Sequence, residues 1–207
     1  MSGLGEEVGP GLWRWTAHHE EWRKEVASVA VVGDEEIVLV DPLLVGEEQW
    51  AGLDELVGRR QAQVLITTHW HTRSAADLAR RRPGTRIWAH SRQRAAVARR
   101  APVSDVYRIG DQLPGGLSAL LARPRSEVVL WEPRSGALIA GDALLGDGER
   151  GEGLHTCPQA WLPSSSTVAE LRAALRPALD LPLRLVLPSH GSPVLSRARP
   201  VLAGALG

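Results

Sequence analysis

The chain has 207 residues, 43% hydrophobic and 23% charged, with 24 basic and 24 acidic residues that sum to zero. That is globular composition at the length of one domain, 1–207, and it excludes a disordered chain, a collagen-like fibre and a coiled coil. A zero net charge offers no global field for nucleic acid or an anionic membrane, and no apolar run approaches the ~20 residues that cross a bilayer.

The opening MSGLGEEVGP lacks the basic and apolar segments of a secretory signal. The single cysteine, Cys157, has no internal disulfide partner, so a reducing cytoplasm is expected. Lys24 is the only lysine, phenylalanine is absent and there are 8 tryptophans, a bias read here as that of a GC-rich genome.

Residues 11–23 are dense in Trp and His and show no clear period. Two runs rich in Val, Ile and Ala flank Gly33-Asp34-Glu35, the signal of a hairpin. Residues 46–60 place Trp50, Leu53, Leu56 and Val57 on one helical face. QVLITTH then reads as a short buried strand. A helix is predicted from Ser74 to Arg82, where Pro83-Gly84 stops it, followed by a strand over 86–90 and a helix over 91–100. Residues 105–122 hold two strands around Pro114-Gly115-Gly116. SEVVLWEPRSGALIAGD predicts a second hairpin, turning at Pro133–Gly136. Residues 143–163 read as one long loop, of the kind used as lids or binding loops. Thr167–Leu179 is an amphipathic helix, LRLVLPS a strand, and the last residues a short helix. Strands and helices thus alternate twice, each half opening with antiparallel strands. An α/β fold layered helix–sheet–sheet–helix follows, with two mixed sheets flanked by helices.

The sharpest local signal is Thr68-His69-Trp70-His71-Thr72-Arg73-Ser74, at the exit of the predicted buried strand. On extended chain, His69 and His71 point to the same side and Trp70 to the other, a two-ligand jaw for a metal ion. Asp142 follows the strand ALIAG and His190 follows LVLPS. Side chains at strand ends, separated by helices, can converge on one edge of a sheet.

These marks, in this order, resemble the metallo-β-lactamase fold superfamily, which includes β-lactamases, glyoxalase II-type thioesterases and lactonases. The family motif H-x-H-x-D-H stands here as His69-Trp70-His71-Thr72-Arg73-Ser74. Gly141-Asp142 is similar to the family's bridging aspartate, and His190-Gly191 to its last histidine. VLVDP, residues 38–42, resembles the early hairpin whose Asp supports the metal site. The resemblance implies the four-layer αββα sandwich. It also shows a departure: the Asp and last His of the motif are Arg73 and Ser74, and the usual P-G-H turn is replaced by Arg123-Pro124-Arg125-Ser126-Glu127. Four of seven ligands remain, His69, His71, Asp142 and His190, too few for two ions ~3.5–4 Å apart.

Two readings stay open. In one, a single divalent ion, Zn or else Fe or Mn, sits on those four residues and makes the protein a hydrolase of an ester, thioester or lactone. Asp142 then orients the attacking water, and Arg73 stabilises negative charge or clamps a substrate carboxylate. In the other, no metal binds, an Arg73–Asp142 pair closes the site, and an inactive relative binds a small ligand or partner. Both expect a small molecule as partner, not nucleic acid or a membrane.

Other candidates have plainer readings. Ser74, three residues before Asp77, reads as a helix cap. His18 and His19 read as a solvated pair, although the resemblance would put them near the site mouth with Trp13, Trp15 and Trp22 lining it. His90 reads as a satisfied core histidine. Cys157 and His155 could be a nucleophile and its base, or a soft metal ligand from a lid, but nothing in the sequence orients them. The arginines between 80 and 100 read as solvated helix faces.

Overall fold

A computed structural model describes residues 3–122, 127–147 and 153–207, so Arg123–Ser126 of the departed turn lie outside the described residues. The chain divides into two compact units, one ending at Arg108 and the other beginning at Ile109.

The first unit is built on a seven-stranded mixed sheet in sequential order. It comprises β1 (Glu6–Gly9), β2 (Leu12–His19), β3 (Lys24–Val32), β4 (Glu36–Val40), β5 (Gln61–Ile66), β6 (Arg86–His90) and β7 (Asp105–Tyr107). The first four strands run antiparallel, and β4 through β7 run parallel. The parallel pairs need crossovers, supplied by α1 (Gly46–Val57), α2 (Ala75–Arg81) and α3 (Arg94–Val97). The period-2 alternation of the strands sends Ile37, Leu39, Val64, Ile66, Ile87 and Ala89 into one cluster with Leu53, Val57, Leu78 and Val97 of the helices. Their alternates Val38 and Leu65 are also buried, as expected of central strands in a sheet with parallel pairs.

Residues 11–23, aperiodic in the sequence, prove to be mostly strand: β2 pairs along its whole length with β3. Trp15 sits in the core with its indole N–H on the Leu43 carbonyl at 2.7 Å, and Trp13 packs against the same cluster. These two tryptophans belong to the core and do not line a site mouth. The helix expected over 91–100 is confined to Arg94–Val97.

The second unit carries a four-stranded mixed sheet in the order β13-β10-β9-β8 and a separate ribbon, β11 with β12. Its strands are β8 (Ser118–Leu121), β9 (Val128–Glu132), β10 (Ala137–Ile139), β11 (Leu144–Gly146), β12 (Leu154–Thr156) and β13 (Leu185–Leu187). Its helices are α4 (Val168–Leu175) and α5 (Ala198–Leu206), whose Leu171, Leu175, Leu202 and Leu206 share one cluster with Val129, Leu138 and Val186 of the sheet. The predicted second hairpin is present as β9–β10. The segment 143–163 is not structureless: it contains the β11–β12 ribbon, with Leu145 opposite His155. Cys157 is buried in the core while His155 is exposed and pairs with Asp147 at 3.1 Å. Residues two apart share a face only while the strand continues; β12 ends at Thr156, and beyond it the chain turns the Cys157 thiol into the core while His155 stays at the surface, so the two do not act as nucleophile and base. Among the described residues, no helix is long and apolar enough to cross a membrane.

Candidate functional site

In the first unit the site is organised by Asp41, which follows β4 with φ of 49°, a left-handed conformation that a non-glycine residue adopts only when its surroundings hold it there. Its carboxylate takes the Thr67 backbone N–H on Oδ1 at 2.9 Å and the Thr67 hydroxyl on Oδ2 at 2.5 Å. The same Oδ2 lies 2.8 Å from Nδ1 of His71. Both groups are almost fully buried, with side-chain exposures of 0% for His71 and 4% for Asp41. A carboxylate only accepts, so Nδ1 carries the proton, and in the neutral ring Nε2 holds the lone pair.

These bonds also turn the chain. The strand ends at Ile66, and residues His69–Thr72 form a 3₁₀ turn closed by the His71 N–H on the Thr68 carbonyl at 2.8 Å. His69 and His71 are therefore not alternate residues of an extended strand, as the sequence reading had them. On a helical turn they diverge: the His69 ring packs on Trp70, with centroids 4.5 Å apart, and His71 faces Trp22 at 5.9 Å. Trp70 is half exposed. Burial, then Arg100 and His71, hold the His69 imidazole below the ordinary histidine range.

Arg73 ends this turn, also left-handed at φ of 36°. Its Nη1 donates to the carbonyls of Ala27 at 2.9 Å and Asp41 at 2.8 Å. The guanidinium is thereby fixed against β3 and the exit of β4. Ser74 is not a helix cap: its hydroxyl makes no capping bond to α2 and instead accepts the buried Leu44 N–H at 3.0 Å, tying the β4–α1 connection to the turn.

A cavity of about 340 Å³ opens here, lined by His19, Glu21, Trp22, Trp70, Thr72, Arg73 and Arg100. Trp22 stacks flat on His19, centroids 3.9 Å apart and planes 8° from parallel, so His19 is not half of a solvated pair. Burial, then Arg73, lower the His19 pKa, with Glu21 opposing. His18 fits the solvated reading, exposed beside Glu25. His90 is buried edge-on to Tyr107, 5.6 Å between centroids, and burial followed by Arg92 lowers its pKa. Burial, then the Asp41 charge, push the Tyr107 hydroxyl well above its ordinary value.

In the second unit Asp142 and His190 come together, with Nε2 of His190 3.4 Å from Oδ1 of Asp142. Gly141 turns the chain at φ of 47°, and Oε1 of buried Glu127 accepts the backbone N–H groups of Asp142 and Ala143, each at 2.7 Å. The loop carrying His190 is tied to this turn by the Ser189 N–H on the Gly141 carbonyl and to β11 by the Gly146 N–H on the His190 carbonyl. Trp161 meets the His190 ring edge-on at 5.9 Å.

The structure thus places His69, His71 and Arg73 on one turn of the first unit, and Asp142 beside His190 in the second. Within neither unit do the described residues bring three or more His, Cys, Asp or Glu side chains together as a metal-holding group. Sequence reasoning missed Trp70 and Arg100 as cavity residues, having aimed Trp70 away from the histidines and read Arg100 as helix surface. It also missed Glu127 as the holder of the Asp142 turn, whose only signal was one acidic residue at the end of a basic segment.

The sequence matches no family model and no curated protein. Solved structures do match. A metallo-β-lactamase from Erythrobacter litoralis, with β-mercaptoethanol in its active site, superposes with a TM-score of 0.71 at 14% identity, covering 97% of this chain and 93% of its own. A metallo-β-lactamase family protein from Thermus thermophilus gives 0.68 at 18% identity, over 96% and 79%. The mono-zinc form of a metallo-β-lactamase from Pseudomonas aeruginosa gives 0.67 at 15% identity, over 95% and 91%.

Proposed function

We propose, from the metallo-β-lactamase fold that this chain has, that it is a hydrolase of an ester, thioester or lactone bond that works with one divalent ion, zinc first. The observation that carries the proposal is the Asp41–His71 pair: a buried imidazole whose Nδ1 is held by a buried carboxylate 2.8 Å away. Histidines that ligate metals are oriented in this way, with the outer carboxylate fixing the tautomer and raising the basicity of the other nitrogen. Asp142 and His190, a carboxylate and an imidazole 3.4 Å apart in the second unit, are donor types that suit a divalent ion. His69 and His71 of the first unit, and Asp142 and His190 of the second, are the residues we propose as metal donors. Mono-zinc occupancy has precedent in the Pseudomonas aeruginosa neighbour.

A divalent ion supplies Lewis acidity, which makes water acidic enough to act as a nucleophile near neutral pH. The chain's own residues do the rest. Asp41 holds the His71 ring, and Glu127 fixes the backbone that carries Asp142. The Asp142 carboxylate orients the attacking water and accepts its proton. Arg73, pinned by two carbonyls, sets a permanent positive charge against the oxyanion that forms at the carbonyl.

One observation favours the rival reading of an inactive binding protein: Arg73 stands where the family motif has a ligand carboxylate, and its side chain is already anchored. Elemental analysis of purified wild type and His71→Ala, with assays on a thioester, a lactone and an aryl ester, separates the two. The hydrolase reading expects near-stoichiometric metal and activity on one class, both lost in the variant. Metal-free wild type whose melting temperature ignores added zinc would leave the binding protein standing.

A further inference from the structure

The cavity at the 3₁₀ turn combines two chemistries, of which the hydrolase reading uses only the Arg73 charge. Trp22 and Trp70 are large planar surfaces, and Arg73 and Arg100 are permanent cations. Arg73 is positioned by its bonds to the Ala27 and Asp41 carbonyls. Arg100 lies over the Trp70 ring, 5.1 Å from its centroid, and Arg73 lies 6.0 Å from that of Trp22. Each cation is thus adjacent to an aromatic face. Glu21 is the one acidic residue in the lining, and the two guanidiniums outnumber it. About 340 Å³ is the low end of the range for small-molecule sites, enough for one compact molecule.

We infer that this cavity binds a small organic carboxylate with a planar apolar body, Arg100 taking the carboxylate beside the fixed charge of Arg73, and Trp22 and Trp70 taking the body. Guanidinium and carboxylate match in geometry, whereas a neutral planar molecule would leave both cations unused. The rings add stacking that an aliphatic acid would not exploit. The inference rests on the hydrolase reading only in making such a molecule the substrate; binding itself is independent of metal.

The test is calorimetric titration of metal-stripped protein, in EDTA, with naphthoate, naphthamide and acetate. Naphthoate should bind at least tenfold more tightly than either of the others. Arg100→Gln and Trp70→Ala, both at exposed positions, should each weaken naphthoate about tenfold. Arg92→Gln, exposed and outside the lining, should leave it unchanged, with melting curves confirming that every variant folds. Equal binding of naphthoate and naphthamide, or an Arg100→Gln variant that binds as wild type does, overturns the inference. Naphthoate binding by a protein that holds no metal and hydrolyses nothing would keep the cavity and remove the hydrolase.

Discussion

Asp41 fixes two turns at once. Its carboxylate stops β5 by taking both Thr67 donors and sets the His71 ring, while its own carbonyl accepts from Ser28 and Arg73. Asn at this position keeps the volume but replaces one acceptor oxygen with a donor nitrogen, so it cannot serve Thr67 and His71 together. Asp41→Asn should therefore lower metal affinity 10–100-fold while leaving the protein folded, measured by competition with a zinc chelator. Glu132 is a second buried carboxylate with a separate role, at the β9–β10 turn. Burial alone would raise its pKa, but bonds from Ser135 side chain and backbone, and from Arg134 backbone and side chain, outweigh that and lower it. A carboxyl whose folded pKa lies below its unfolded one stabilises the fold above the unfolded value, and loses that as pH falls through the folded value. Glu132→Gln should thus cost about 1–3 kcal/mol at pH 7. In urea titrations across pH, its gap from wild type should close in the acid range.

Helix starts show how similar motifs diverge in use. Thr167 is a true cap: its hydroxyl takes the Glu170 N–H at 3.2 Å, and the Glu170 carboxylate takes the Thr167 N–H at 2.8 Å, a reciprocal capping box. Ser74-x-x-Asp77 looks alike in sequence, yet Asp77 pairs with Arg80 and Ser74 serves Leu44. Thr167→Ala should cost about 1 kcal/mol by denaturation, and Thr167→Asp almost nothing, since Asp caps as well as Thr. Ser74→Asp should instead destabilise the protein, because a charged, larger side chain enters a buried position. A neutral Ser74→Asp would restore the capping role. Gly191 is a further constraint on an element, at φ of 78°, where a Cβ would come within 2.1 Å of the Gly146 carbonyl oxygen. Gly191→Ala should displace the His190 loop from β11.

Over the whole chain, each unit has its own sheet and its own apolar cluster. Leu53→Ala in the first and Leu202→Ala in the second should each cost about 2–5 kcal/mol in thermal or urea unfolding. The α/β class, both hairpins and the helices over 46–57 and 198–206 were legible because apolar period and turn residues agree there. The Trp-rich β2 was not, since its partner β3 decides its pairing and its composition masks the alternation. The histidine turn was misread for a related reason: its shape depends on a carboxylate 26 residues before Thr67, which no local pattern displays. His71, Asp142 and His190 were found as candidate residues; the supports that hold them, Asp41 aside, were not, because buried hydrogen-bond partners leave no spacing to read.

The central claim is a single-ion hydrolase site, and zinc titration of the metal-stripped protein tests it most directly. Calorimetry should return a stoichiometry of one for wild type, with the heat abolished in His71→Ala and in Asp142→Ala while both variants still melt cooperatively. A stoichiometry of two, or wild-type protein that takes up no zinc, would contradict it.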